Sequence, residues 1–176
     1  MLIYIFIVAI IFVAILLTIF ITYYNKFQIA IIKISEAEEN IKILLNKKFE
    51  YIIRINSFVE DKKPESKIPG LEKFNTKNFN TFELNTELNK YNKKIVEITD
   101  YSKNLVFDDK EEETIRELEE INIELLGSEK YYNDNVVIYN KIIKCFPSNI
   151  VGKICKYKNK DFYSNEKEEI FELLKK

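Results

Sequence analysis

The sequence predicts an all-α protein in which a single N-terminal transmembrane helix continues into an antiparallel up-down bundle of three long helices, followed by a short C-terminal helix. Three observations predict this class. The 176 residues include only three Gly and three Pro, and folds built from many tight turns need more of both. The first 25 residues carry no charged side chain. Beyond them, apolar residues recur every three or four positions, which is the spacing of one helix face.

The N-terminal segment is predicted to be a membrane anchor over residues 1–23. Residues 2–21, "LIYIFIVAIIFVAILLTIFI", form an apolar run of about the 20 residues that a helix needs to cross the hydrocarbon core. No Lys or Arg precedes the run, and the residues after it are bulky, which is unlike a cleaved signal peptide. Lys26, Lys33 and Lys42 follow the run. By the positive-inside rule we expect an external N-terminus and a cytoplasmic domain at the cell membrane.

Residues 24–176 are predicted to form one helical bundle domain. Its expected segments are helix 1 (24–60), a connector (61–78), helix 2 (79–106), helix 3 (109–146) and a short helix (165–175). Two of the three prolines and one glycine lie among charged residues in "DKKPESKIPG", so the first helix must stop there and a mobile loop begins. Within the apolar face of that helix, Lys48 is the one break.

The first and third helices are predicted to be similar in length, so they can lie side by side. If helix 1 leaves the membrane, helix 2 returns and helix 3 leaves again. This order predicts that the connector and the later "FPSN" sequence share the end of the bundle farthest from the membrane. Lys153, Lys156, Lys158 and Lys160 could contact anionic lipid, but this order favours a solvated tail for them.

Composition excludes several classes of function. Lys and Arg total 27 against 28 Asp and Glu, so the domain lacks the basic excess that binding to nucleic acid needs. The chain has no His, which removes His-based catalysis and the commonest zinc ligand. Cys145 and Cys155 lie ten residues apart without a CxxC motif; they are interpreted as buried free thiols, with a disulfide left open by spacing alone. We therefore expect no catalytic residues, no metal and no cofactor.

Two polar features have both a structural and a ligand-binding interpretation. The sequence "DDKEEE" at 108–113 could bind a hard cation, but it is more typical of a capped helix start whose glutamates favour the positive end of the helix dipole. Asn122 and Glu129 fall on the apolar face of helix 3. They are expected to set the register of the bundle rather than to act as ligands.

The segment "YYNDNVVIYNKIIKCFPSN" at 131–149 contains the candidate site. Its structural signature comprises Tyr132, Tyr139, Phe146 and Pro147. Its candidate interaction surface comprises Asn133, Asn140, Ser148 and Asn149. Residues seven apart share one helix face, so the tyrosines and Phe146 are predicted to be buried and Pro147 to end the helix. The four polar residues of the candidate interaction surface are expected to matter less for stability than the signature residues and to face a partner.

This segment resembles the C-terminal signature of the LemA family of bacterial membrane proteins. The matching residues are Tyr131, Tyr132, Asn133, Val136, Tyr139, Asn140, Ile142, Ile143, Phe146, Pro147, Ser148 and Asn149. The sequence is also similar at Tyr24 and Asn25, after the apolar run. It departs from the family pattern where Glu38 replaces a usual Trp and Ile53 a usual Pro. The resemblance implies a helical bundle on one membrane span and supplies no reaction.

Together these observations predict a non-enzymatic, membrane-anchored interaction or scaffold module. Its expected partners are membrane lipid, through the anchor, and an unidentified membrane or cytoplasmic protein. An accessory subunit of a membrane protease or transporter is the alternative, and a hydrolase that works without His is a remote one.

Overall fold

The computed structural model describes residues 1–101 and 105–163, and within them it confirms the all-α class and the helical bundle. Four α-helices occur in this part of the chain, with no strand. They are α1 (Leu2–Lys62), α2 (Thr81–Tyr101), α3 (Asp109–Lys144) and α4 (Ser148–Ile154). The short helix expected over 165–175 lies outside the described residues. The chain divides into two compact units, one of residues 1–36 and 131–176 and the other of residues 37–130.

α1 is a single helix of 61 residues that includes the whole apolar run. It contains no Gly or Pro, so nothing in its sequence interrupts the backbone hydrogen bonds. Residues 1–19 are exposed along their entire length. From Phe27 onward, the buried hydrophobic residues of α1 recur at helical spacing. They are Phe27, Ala30, Ile34, Ala37, Ile41, Leu44 and Leu45, then Ile52, Ile55 and Val59, with polar Lys48 and Asn56 buried among them.

The unit of residues 37–130 is built from the second half of α1, all of α2 and the first part of α3. Asn40 bonds Ser128 near one end of this unit, while Lys62 pairs with Glu111 at 2.7 Å at the other. Residues later in α1 therefore contact residues earlier in α3, so these two helices are antiparallel. The buried residues between the three helices include Leu84, Leu88, Ile95, Leu118 and Leu125.

The direction of α2 differs from the predicted up-down-up order. Asn85 of α2 bonds Glu129 of α3. Seven residues later in α2, Asn92 accepts a hydrogen bond from Asn122 of α3, which lies seven residues earlier than Glu129. α2 is thus antiparallel to α3, as α1 is, and runs in the same direction as α1. Apolar periodicity identifies which face of a helix is buried, but it carries no information on this direction.

The connector makes that direction possible because it runs back along α1. It contains three short 3₁₀ turns and packs on the helix, whereas the sequence predicts a mobile loop. The side chain of Asn56 bonds both backbone groups of Ile68, and the Phe74 ring lies 5.3 Å from Phe49 and 5.5 Å from Tyr91. Buried Ile68 and Leu71 complete the contact.

Reciprocal capping bonds begin α2 and α3. Asp108 Oδ1 accepts from the backbone N–H of Glu111, whose carboxylate accepts from the backbone N–H of Asp108, both at 2.8 Å. Asn80 and Glu83 repeat this arrangement at the start of α2. Two of the carboxylates of 108–113, those of Asp108 and Glu111, thus satisfy backbone donors at the helix start, as the capping interpretation of "DDKEEE" predicts.

The unit of residues 1–36 and 131–176 has a separate core. Phe27, Ala30 and Ile34 of α1 pack with Val136 and Tyr139 of α3 and with Val151 of α4. The end of α3 therefore lies beside the part of α1 that directly follows the apolar run. The predicted position of "FPSN", far from that run, is wrong, and the antiparallel contact of α3 with α1 is the reason.

Candidate functional site

Two tyrosines, Tyr139 of the signature and Tyr157 after α4, pack on the Phe27 ring of α1. Tyr139 is buried, and its ring meets Phe27 edge-on with centroids 5.9 Å apart. Tyr157, which follows α4, packs on the same Phe27 ring at 4.8 Å and accepts a 2.7 Å hydrogen bond from Gln28. Burial raises the pKa of both Tyr139 and Tyr157. These aromatic residues form the centre of the core around Phe27.

Asn140 holds the chain that follows α4. Its amide nitrogen donates to the Lys160 carbonyl at 2.8 Å, while its Oδ1 accepts from the Lys160 N–H at 2.9 Å. Both backbone groups of one residue are thus paired by one side chain, in a place where no helix or strand supplies partners. The Asn140 side chain therefore takes the place of the backbone partners that a helix or strand would give Lys160.

Asn133 acts in the same way two helical turns earlier. Its Oδ1 accepts from the backbone N–H of Tyr163 at 2.8 Å. The neighbouring Tyr132 donates to the Asp161 carbonyl at 3.3 Å and meets the Tyr163 ring edge-on at 5.7 Å. The seven-residue spacing of Asn133 and Asn140 places both amides on the face of α3 that this segment crosses.

Ser148 closes the end of α3. Its buried hydroxyl lies 2.6 Å from the Ile142 carbonyl and 2.8 Å from the Cys145 carbonyl, so its proton is shared between two acceptors that the helix end leaves open. The backbone N–H of Asn149 also donates to the Cys145 carbonyl. Pro147, joined to Phe146 by a cis peptide bond, forms the corner between α3 and α4.

The candidate interaction surface thus has different contacts from those expected. Asn133, Asn140 and Ser148 bond backbone groups within the chain, and their effect on stability stays a prediction. Asn149 is half-buried, and its buried side-chain oxygen has no partner among the described residues. Whether a partner protein contacts these four residues stays a prediction.

Phe146 is not buried in the bundle. Its side chain is 80% exposed, because α3 ends at Lys144 and helical spacing no longer applies two residues later. The prediction of a buried phenylalanine at this position is wrong.

A buried lysine in the other unit is the feature that sequence analysis underrated. Lys48 is 1% exposed, and its ammonium donates to Asn89 Oδ1 at 2.7 Å. The Glu129 carboxylate, bonded by Asn85, attracts it. Burial nevertheless dominates and lowers the pKa of Lys48 from 10.5 to about 8. The one signal for it in the sequence is that Lys48 falls on the apolar face of helix 1.

The acidic residues and thiols of the described ranges do not gather into a candidate metal site. In these parts of the chain no three His, Cys, Asp or Glu side chains form a group that could hold a metal ion. Cys145 and Cys155 are free thiols, the first exposed and the second half-buried. The expectation that both are buried is wrong for Cys145 and holds only in part for Cys155.

The fold and the site define a class: helical bundle proteins with an exposed apolar N-terminal helix and a C-terminal segment held by tyrosine and asparagine side chains. The model of the LemA family matches residues 72–172, which include the signature segment. The chain belongs to the LemA family. Searches of curated proteins and of solved structures find no match to it.

Proposed function

We propose that this protein is a membrane-anchored, non-enzymatic interaction module. In this proposal residues 2–21 cross the cell membrane, and the helical units face the cytoplasm and bind another protein. Membership of the LemA family agrees with the proposal but supplies no molecular activity.

The exposure of the apolar run supports the anchor, on which the proposal rests. α1 contains a stretch long and apolar enough to cross a membrane, and no part of its most apolar stretch is buried within the chain. A core helix of similar composition would be covered by neighbouring helices. Each exposed Leu or Ile would cost about 1.5–3 kcal/mol in water relative to burial, and a bilayer removes that cost.

Extraction of membranes from expressing cells at alkaline pH tests the anchor. The full chain should stay in the membrane pellet, and the double substitution Ile10→Glu with Leu16→Glu should release it, because each charge at the centre of a span costs about 2.5–3.5 kcal/mol. Ile123→Glu is the matched control, since Ile123 is an exposed isoleucine outside the run. Full release of the unaltered chain would refute the anchor.

Crosslinking in intact cells tests the interaction. A photo-crosslinking amino acid at Ile123, which with Leu126 gives α3 two exposed apolar side chains one turn apart, should yield a discrete protein adduct. The same group at exposed Lys94 on α2 is the control. A membrane protease or transporter in the adduct would favour the accessory-subunit alternative. Equal, diffuse adducts at both positions would argue against a specific partner.

A further inference from the structure

α4 has one face packed on the core and one face exposed. Val151 and Gly152 are buried against Phe27, so closely that a Cβ added to Gly152 would lie 3.3 Å from the Phe27 ring. On the opposite side Ile150 is 51% exposed and Ile154 62% exposed. These two residues are four apart, so they share one face of the short helix. Phe146 adds a third large exposed apolar side chain directly before α4.

This exposed face lies close to the end of the apolar run. Phe27 is six residues after residue 21, a rise of about 9 Å along α1. Phe20 and Tyr23 pack against the same core as α4. A bilayer that holds residues 2–21 would therefore place α4 at the level of its headgroups, where apolar side chains of short amphipathic segments insert.

The segment around α4 is also basic. Exposed lysines flank the apolar side chains in the sequence: Lys141, Lys144, Lys153, Lys156 and Lys158. Asp161 is the one acidic residue between 141 and 163. Including 164–176, whose positions the structure does not describe, the sequence from 141 onward has nine Lys against five Asp and Glu. Lysine clusters beside a membrane span are attracted to anionic lipid.

We propose that α4 and the lysines around it form a second membrane contact, which binds the surface of an anionic bilayer with Phe146, Ile150 and Ile154 inserted between the headgroups. The contact rests on the proposed anchor, because that anchor brings α4 to the bilayer. The exposed apolar side chains suit the apolar region beneath the headgroups, and the lysines suit the negative charge of the headgroups. The bilayer that α4 contacts would be the same one that the apolar run crosses.

Fluorescence quenching in lipid nanodiscs tests this contact. The full chain, with Cys145→Ser and Cys155→Ser, carries one cysteine labelled with a polarity-sensitive fluorophore. The discs contain equal parts phosphatidylcholine and phosphatidylglycerol, or phosphatidylcholine alone, with a spin-labelled lipid as quencher. A label at Ile150→Cys should be quenched strongly, and more in the anionic discs. A label at exposed Tyr131→Cys, eight residues or about 12 Å before Tyr139 on α3, is the control and should stay bright.

Charge reversal tests the electrostatic part. Lys153→Glu, Lys156→Glu and Lys158→Glu together should reduce quenching at Ile150 in anionic discs to its level in neutral discs or below. These side chains are exposed, so the helical circular dichroism should not change. Quenching that survives the reversal, or that is equal in both lipids, would overturn the preference for anionic lipid.

A label at Leu16→Cys separates this inference from the anchor. Strong quenching at Leu16 with none at Ile150 would overturn the second membrane contact and leave the anchor intact. A bright label at Leu16 would overturn the anchor and, with it, this contact.

Discussion

The substitution Lys48→Met should remove a pH dependence of stability that the native protein has. Burial lowers the pKa of Lys48 to about 8, whereas an exposed lysine keeps a value near 10.5. The folded state thus releases its proton at lower pH than the unfolded state does. Where the unfolded state binds more protons, the free energy of unfolding rises with pH. The native protein should therefore gain stability as pH rises from about 8 towards 10.5.

The size of this gain follows from the two pKa values. The full difference corresponds to about 3 kcal/mol. Between pH 7 and pH 9.5 the expected gain is about 2 kcal/mol, because Lys48 is nearly deprotonated in the folded state at the upper limit and still protonated in the unfolded state. Stopping at pH 9.5 keeps most of the ionisation of the tyrosines outside the measured range. Burial raises the pKa values of Tyr51, Tyr139 and Tyr157, so their contribution to stability is lost as pH rises through the higher range.

The assay is urea unfolding of the full chain in detergent micelles, followed by circular dichroism at several pH values. Native protein and the control Lys47→Met, which changes the exposed neighbour, should share the same upward slope. The free energy of unfolding of Lys48→Met should change little with pH over this range. Equal slopes for all three proteins would refute a buried, titrating Lys48.

Three further predictions concern the signature segment and use the same unfolding assay. Tyr139→Ala should cost about 3–5 kcal/mol, whereas Phe146→Ala should change stability by less than about 0.5 kcal/mol; similar costs would show that the exposure of Phe146 is wrong. Asn140→Ala should cost about 1–3 kcal/mol because two backbone groups lose their partner, and exposed Asn159→Ala should cost almost nothing; a neutral Asn140→Ala would contradict the backbone-pairing role. Gly152→Val should cost about 1–3 kcal/mol by crowding the ring beneath it, and a stability equal to the native value would mean that α4 sits farther from the core.

The sequence was sufficient for the class of fold and for the buried face of α1. Ile34, Ile41 and Ile55 are buried because residues at helical spacing must share one face, and this follows from local geometry alone. The capped start of α3 was predictable for the same reason, since Asp108 and Glu111 bond within one turn.

The path of the chain between helices was not predictable in this way. The direction of α2 depends on Phe74 packing between α1 and α2, a contact between distant parts of the sequence. Asn133 and Asn140 bond residues 30 and 20 positions away, so their structural role becomes visible only once the return of the chain is known. The prediction of a buried Phe146 fails because it continues a helical pattern past Lys144, where α3 ends.

Sidedness of labelling in intact cells tests the central claim, that a membrane anchor holds the helical units in the cytoplasm. With Cys145→Ser and Cys155→Ser in place, Glu113→Cys provides one exposed thiol on α3. A maleimide that cannot cross membranes should label this chain only after the cells are permeabilised, because Lys26, Lys33 and Lys42 follow the apolar run. Strong labelling of intact cells would contradict the account and place the units outside the cell.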